Sequence, residues 1–254
     1  MLESTFIFLA GVGEFTERRL WEHGVLSWDA FLEAGEVPGI SCSRKSLYDR
    51  DVAQARDRFA QRDARHFARC LKPRDQWRLF EAFRARTVFL DIETTGTAPD
   101  EGDVTMVGLY GGGRMTTLIR NESLTGQRLM EELERYDLIV TFFGSGFDLP
   151  FLKAKYPRLP LDQPHFDLCF AARRLGYTGG LKHIEATLGI ARHASVQGMD
   201  GWEAVRLWHQ WQAGDEQALA KLITYNAADT KNLQPLAEHL YGAMVARYGP
   251  SGAR

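Results

Sequence analysis

The sequence predicts an α/β protein: a mixed β-sheet flanked by helices, preceded by a helical N-terminal region. Three observations carry this. Runs rich in β-branched and aromatic residues at Val88–Leu90, Val104–Tyr110, Met115–Ile119 and Leu138–Phe143 read as strands. From residue 125 onward, segments with apolar residues at helical spacing follow those runs, the pattern of helices laid over a sheet. Residues 1–85 read as helices and turns, so the chain divides into a helical region 1–85 and an α/β domain 86–248.

The elements follow in order. Phe6-Ile7-Phe8-Leu9 leads through Gly11-Val12-Gly13 into a helix from Phe15 to His23, stopped by Gly24. A short helix with Trp28, Phe31 and Leu32 comes next. A Gly-Val-Gly step into a helix resembles the start of helix-hairpin-helix modules, whose backbone N–H groups bind phosphate; it is also an ordinary tight turn between packed elements. Val37–Ser41 has linker composition. Residues 48–71 predict one helix, with Val52, Ala55, Phe59, Phe67 and Leu71 near one face and most of its arginines off it. Pro73 ends it, and a helix over 74–84 buries Trp77, Phe80 and Phe83 at every third position.

Strand Val104–Tyr110 turns through Gly111-Gly112-Gly113 into strand Met115–Ile119. A helix over 125–136 precedes the buried strand Leu138–Phe143, and another helix starts near Asp148. Helices are expected over 166–175, 181–188, 200–213 and 216–247, with Gly176, Gly189 and Gly214 as stops. Trp202, Leu207, Trp208 and Trp211 read as core, and His183 and Glu185 as packing residues.

Composition narrows the function. With 44% hydrophobic and 25% charged residues the chain is of ordinary globular type, and no apolar run approaches the roughly 20 residues of a membrane span. Residues 5–10 are apolar but lack a basic leader and cleavage pattern, so the expected location is cytoplasmic, without a membrane partner. Cys42, Cys70 and Cys169 are odd in number and widely spaced, which argues against a disulfide framework or a structural zinc site. Net charge is −2, yet Arg44–Arg86 carries 13 Lys/Arg against 6 Asp/Glu. That local excess could face phosphates, with Arg58, Arg62 and Arg65 as candidates, or it could pair with the acidic residues of 1–43.

The chain is organised around Leu90-Asp91-Ile92-Glu93-Thr94-Thr95-Gly96. Side chains alternate along a strand, so Asp91 and Glu93 emerge on one face. Two neighbouring anions at the end of a buried strand repel each other unless a cation or donors lie between them. Oxygen ligands of this kind suit Mg²⁺ or Mn²⁺. Asp148 stands where a buried strand gives way to a helix, a place where α/β sheets form sites and where Asp also serves as an N-cap. Tyr225 and Asp229, four residues apart, share one helical face.

Together these pieces resemble the DEDD exonucleases of the ribonuclease H-like superfamily, in the tyrosine form. Asp91-Ile92-Glu93 matches the first motif, Phe147-Asp148 the second and Tyr225-x-x-x-Asp229 the third. A histidine form would need His at the position of Thr224. The order and spacing are also similar to the YprB-type predicted exonucleases and, more distantly, to the proofreading domains of family B polymerases. The resemblance covers about 87–242 and implies a ribonuclease H-like mixed sheet. It also implies a metal-dependent 3′→5′ exonuclease acting on single-stranded DNA or RNA 3′ ends and releasing nucleoside 5′-monophosphates.

On that reading Asp91, Glu93, Asp148 and Asp229 hold two divalent ions, Mg²⁺ or Mn²⁺, with Asp91 shared between them, and Tyr225 aims the attacking water. One departure stands out: related second motifs carry Asn five residues before the Asp, where this chain has Phe143. The competing expectation is a non-catalytic nucleic-acid-binding module on the same fold.

Overall fold

In the computed structural model, residues 1–251 are described. The N-terminal region holds α1 (Glu14–Glu22), α2 (Trp28–Glu33), α3 (Cys42–Ala60), α4 (Ala64–Cys70) and α5 (Phe80–Phe83). The single helix expected over 48–71 is two. The chain breaks at Gln61–Asp63, where Arg62 adopts a left-handed backbone (φ 56°) and the Asp63 carboxylate caps α4 by accepting from the His66 N–H at 3.0 Å. The helix expected over 74–84 is mostly 3₁₀: Pro73–Leu79 and Arg84–Arg86 flank the one α-helical turn of α5. Gly13 stands at the N-terminus of α1, and only a 3₁₀ turn, Leu2–Ser4, precedes it.

The α/β part comprises β1 (Thr87–Thr94), β2 (Val104–Gly111), β3 (Arg114–Ile119), α6 (Gly126–Leu133), β4 (Leu138–Thr141), α7 (Asp148–Lys155), β5 (His165–Asp167), α8 (Leu168–Leu175), α9 (Leu181–Thr187), α10 (Gly201–Gln212) and α11 (Glu216–Tyr248). The sheet order is β3-β2-β1-β4-β5. β1, β2 and β3 are antiparallel neighbours, and β4 pairs parallel with both β1 and β5. This is the mixed sheet that the strand pattern implied. No helix among the described residues is long and apolar enough to cross a membrane.

Alternation along β1 sorts the two faces. Val88, Leu90 and Ile92 enter a core with Leu129 and Leu133 of α6 and Phe151 and Leu152 of α7. Phe89 enters the opposite core with Leu233, Leu236 and Leu240 of α11. That second core runs on without interruption into Phe6, Trp28, Phe31, Phe67 and Phe80 of the N-terminal region. Asp91 and Glu93 continue the Phe89 face and therefore lie under α11. The approach of α11 to the sheet is close at Gly108, directly opposite Asp91 on β2. A Cβ there would stand 2.2 Å from Thr230 Oγ1 and 2.3 Å from Asn226 Oδ1, so only glycine admits the helix at this depth.

Two ion-pair sets attach the basic segment to its acidic neighbours. Arg56 pairs with Asp29 at 3.1 Å, and Arg78 with Glu17 at 2.9 Å. Arg65 pairs with Asp162 at 2.8 Å, Arg86 with Asp137 at 2.8 Å, and Arg84 with Glu238.

Candidate active site

The site opens where the sheet splits. Parallel pairing of β1 with β4 covers only Thr87–Phe89, and β4 ends at Thr141. Beyond that point Ile92 has no partner on the β4 side. Its N–H donates instead to Asp148 Oδ1 at 3.2 Å. Asp148 is the first residue of α7, after Phe147 at the cap position, and its carboxylate reaches across the split to β1. Crevices of this kind, at the carboxyl ends of parallel strands, are where α/β folds place their sites.

Asp91, Glu93 and Asp229 each offer an oxygen within 4.8 Å of the others. Asp91 is half-buried and Glu93, Asp148 and Asp229 are buried. Burial drives the Asp91 and Glu93 carboxyls well above the ordinary carboxylate range, and repulsion within the cluster adds to it. Burial also pushes Asp148 up to about 7, against the opposing pull of its own backbone N–H and then of the Ile92 N–H. Asp91 Oδ2 accepts from Asn226 Nδ2 at 3.1 Å, while Glu93 Oε1 is buried with no hydrogen-bond partner. An all-oxygen set of crowded carboxylates with an unsatisfied buried oxygen fits a hard divalent cation.

Sequence reasoning gave no role to three further polar side chains at this site. Lys182, from α9, donates to Tyr225 Oη at 2.7 Å and lies 4.7 Å from the centre of its ring. Arg192, from the segment after α9, pairs with both Asp229 and Glu185. Glu185, expected to be structural, is thus the buried anchor of an arginine that touches the cluster. Asn226 follows Tyr225 in the chain and faces Asp91. Lys182 and Arg192 come from 30 to 50 residues away along the chain, and only Asn226 carried a local signal, since it adjoins a motif residue.

Tyr225, Asp91, Glu93, Asp148 and Asp229 all line one cleft of about 1040 Å³. Phe143, Phe147, Arg173 and Trp202 line it as well. Trp202, expected in the core, is 72% exposed, because it lies in the first turn of α10 on the side away from buried Leu207 and Trp208. His183, expected to pack, is exposed. The candidate phosphate contacts lie apart from the cleft: Arg58 pairs with Asp63 at 3.4 Å, Arg62 donates to the Ala82 carbonyl at 2.7 Å, and Arg65 reaches Asp162.

The raised Asp148 pKa carries a sign for stability. The folded protein holds a proton that the unfolded chain has released between its ordinary value of 3.8 and about 7. Stability from this group is therefore present at low pH and lost as pH rises through that window. Buried His165, lowered to about 4 by burial, acts oppositely, since the unfolded chain protonates it first as pH falls. In chelator, the melting temperature should thus fall between about pH 4 and pH 7 more steeply for the parent than for Asp148→Asn. Parallel curves for the two proteins would remove Asp148 as the source.

A five-stranded mixed sheet with carboxylates gathered at its split edge defines a ribonuclease H-like protein. The sequence signature of the RNase_H superfamily matches residues 88–241, and the chain belongs to that superfamily. No curated protein matches it. Similar solved structures include the family B DNA polymerase of the hyperthermophilic archaeon Pyrobaculum calidifontis, with 17% identity and a TM-score of 0.52 over 66% of this chain. The matched part is 26% of the polymerase chain, so this chain corresponds to about a quarter of that protein. Brucella melitensis NrnC is similar at 24% identity and a TM-score of 0.49, over 68% of this chain and 79% of that one. A structure described as the apo form of a nuclease is similar at 21% identity and a TM-score of 0.49, over 65% and 77%.

Proposed function

We propose that this protein is a metal-dependent 3′→5′ exonuclease of the tyrosine-type DEDD class, acting on unpaired nucleic-acid ends and releasing nucleoside 5′-monophosphates. The observation that supports it most is the convergence of Asp91, Glu93, Asp148 and Asp229 in one cleft with Tyr225. Asp91, Glu93, Asp148 and Asp229 would hold two divalent ions, Mg²⁺ or Mn²⁺, with Asp91 shared. Bound there, such ions lower the pKa of an attacking water and neutralise charge on the phosphate and leaving oxygen.

The protein groups do the rest. The Lys182 ammonium donates to Tyr225 Oη, which turns the tyrosine's own hydrogen away from it and toward Asp229, beside which it would hold an attacking water. Burial, with the Asp229, Glu93 and Asp91 charges, raises the Tyr225 pKa, so the hydroxyl stays protonated and donates rather than acting as a base. Asn226 fixes the Asp91 carboxylate, and the Ile92 N–H fixes that of Asp148. Arg192 engages Asp229 Oδ1 and leaves Oδ2 for an ion.

The test is a time course on 3′- and 5′-labelled DNA and RNA oligonucleotides with Mg²⁺, Mn²⁺ or chelator. The expected result is metal-dependent shortening from the 3′ end with release of mononucleotides. Binding without cleavage would leave a nucleic-acid-binding module on this fold.

The basic segment is proposed to hold the strand beyond the cleft. The pairs of Arg58 and Arg65 are solvent-exposed, and exposed pairs are worth only about 0–1 kcal/mol, so phosphates can compete for them. Changing Arg58, Arg62 and Arg65 to Ala should flatten the log–log salt dependence of single-strand binding by about 0.7 per lost phosphate contact. An unchanged slope with a lowered melting temperature would make them an intramolecular clamp instead.

A further inference from the structure

Large apolar side chains are seldom exposed together without reason. Among the described residues, the exposed ones are Phe15, Leu26, Leu47, Phe143, Phe170 and Trp202. Two of them, Phe143 and Phe170, touch each other beside the carboxylate cleft, with ring centres 6.2 Å apart and planes tilted by 40°. Arg173 lies over Phe170, its guanidinium 5.5 Å from the ring centre. It is exposed and makes no ion pair among the described residues, unlike its neighbour Arg174. Arg173 also lines a second cavity of about 510 Å³, bounded by Phe170, Trp77, Phe166 and Arg74, so this ridge separates the catalytic cleft from a neighbouring hollow.

The ridge is built, not incidental. Phe143 holds a left-handed backbone (φ 65°), a conformation costly for a bulky residue. The Asp167 carboxylate holds it there, accepting from the Phe143 N–H at 2.8 Å, the Ser145 N–H at 3.0 Å and the Ser145 hydroxyl at 2.6 Å. The ring lies against Gly146, where a Cβ would come within 2.5 Å of it. Strain, a carboxylate clamp and a glycine floor together present one aromatic face to the solvent at the mouth of the cleft.

We propose that Phe143, Phe170 and Arg173 form a seat for one of the two nucleotides flanking the scissile phosphate, its unpaired base stacked on the rings and its phosphate on Arg173. This rests on the exonuclease reading and names the side chains that would make it require an unpaired end. Stacking on an aromatic face accepts any base, so the seat favours single strands without selecting sequence. Among the described residues that line the cleft, Arg173 is the one Lys or Arg, beside the carboxylates of Asp91, Glu93, Asp148 and Asp229.

The test uses full-length protein carrying Asp91→Asn to block turnover, with Mg²⁺, and 5′-fluorescein oligonucleotides read by anisotropy. One oligonucleotide is intact, one lacks the last base, and one lacks the penultimate base. The parent should bind the intact strand about tenfold tighter than one of the two abasic strands, the gap that base–aromatic stacking supplies. Phe143→Ala with Phe170→Ala should erase that gap, and Phe143→Trp alone should keep it. Arg173→Ala should weaken intact and abasic strands alike and lower the salt slope by about 0.7. No gap in the parent, or a gap untouched by the double substitution, overturns the seat. Cleavage by the wild-type protein, measured separately, keeps the two readings apart: cleavage without a gap removes only the seat, and a gap without cleavage removes only the exonuclease.

Discussion

Asp91→Asn should lower metal-dependent phosphodiester cleavage by orders of magnitude while making the metal-free protein more stable. The two effects share one cause. Asp91 shares a cluster with Glu93 and Asp229, and burial and their repulsion disfavour its charge. Replacing the carboxylate by an amide removes that unfavourable charge and retains an oxygen for the Asn226 amide to donate to. It also removes the one ligand proposed to be shared between ions, which no neighbouring group can replace. Steady-state cleavage of a labelled oligonucleotide and thermal melting in chelator read the two effects. Equal turnover in variant and parent would sink the exonuclease reading. A melting temperature lower than the parent's would show that the cluster is not electrostatically strained.

Arg78→Met should cost about 3–5 kcal/mol of folding stability, although Arg78 does not line the cleft. Arg78 and Glu17 are both 1% exposed and pair at 2.9 Å. Arg78 also donates to Thr5 Oγ1, and Glu17 accepts from the Phe6 N–H at 2.7 Å. Burial raises the Glu17 pKa, with Arg78 the main group holding it down. Without Arg78 a carboxylate is left buried and unpaired. Arg78→Met combined with Glu17→Gln removes both charges and keeps an acceptor for Phe6, so it should recover most of the loss. Urea denaturation of the single and double variants measures this. A single substitution costing under about 1 kcal/mol would place the pair among the weak surface bridges.

What the sequence made legible followed from local periodicity. The run Val88–Leu90 and the two-residue spacing of Asp91 and Glu93 placed β1 and the face of its carboxylates. Four-residue spacing placed Tyr225 and Asp229 together. The α/β class followed from the order of those elements. β5 was not legible, because His165-Phe166-Asp167 is too short to show a period. Nor was the break between α3 and α4, which uses Arg62 in a left-handed conformation where no Gly or Pro marks it; Asp63 was the available signal. Lys182 and Arg192 reach the cluster only through the tertiary fold. Trp202 was misplaced because an aromatic residue at helical spacing gives the same pattern whether it meets a core or a cleft.

Helix α11 runs from Glu216 to Tyr248 with Pro235 inside it. Its first half presents Tyr225 and Asp229 to the cleft, and its second half, from Leu233 to Met244, is buried in the core shared with the N-terminal region. Pro235 has no N–H to donate, so it marks the place where the two halves can bend relative to each other. Gly108 lets the first half down onto the sheet through Asn226 and Thr230. The direction from which Tyr225 and Asp229 approach β1 thus depends on that contact and on the seating of the second half. Truncation at Phe80 or Leu236, both buried in the second core, should be read by turnover as well as by melting.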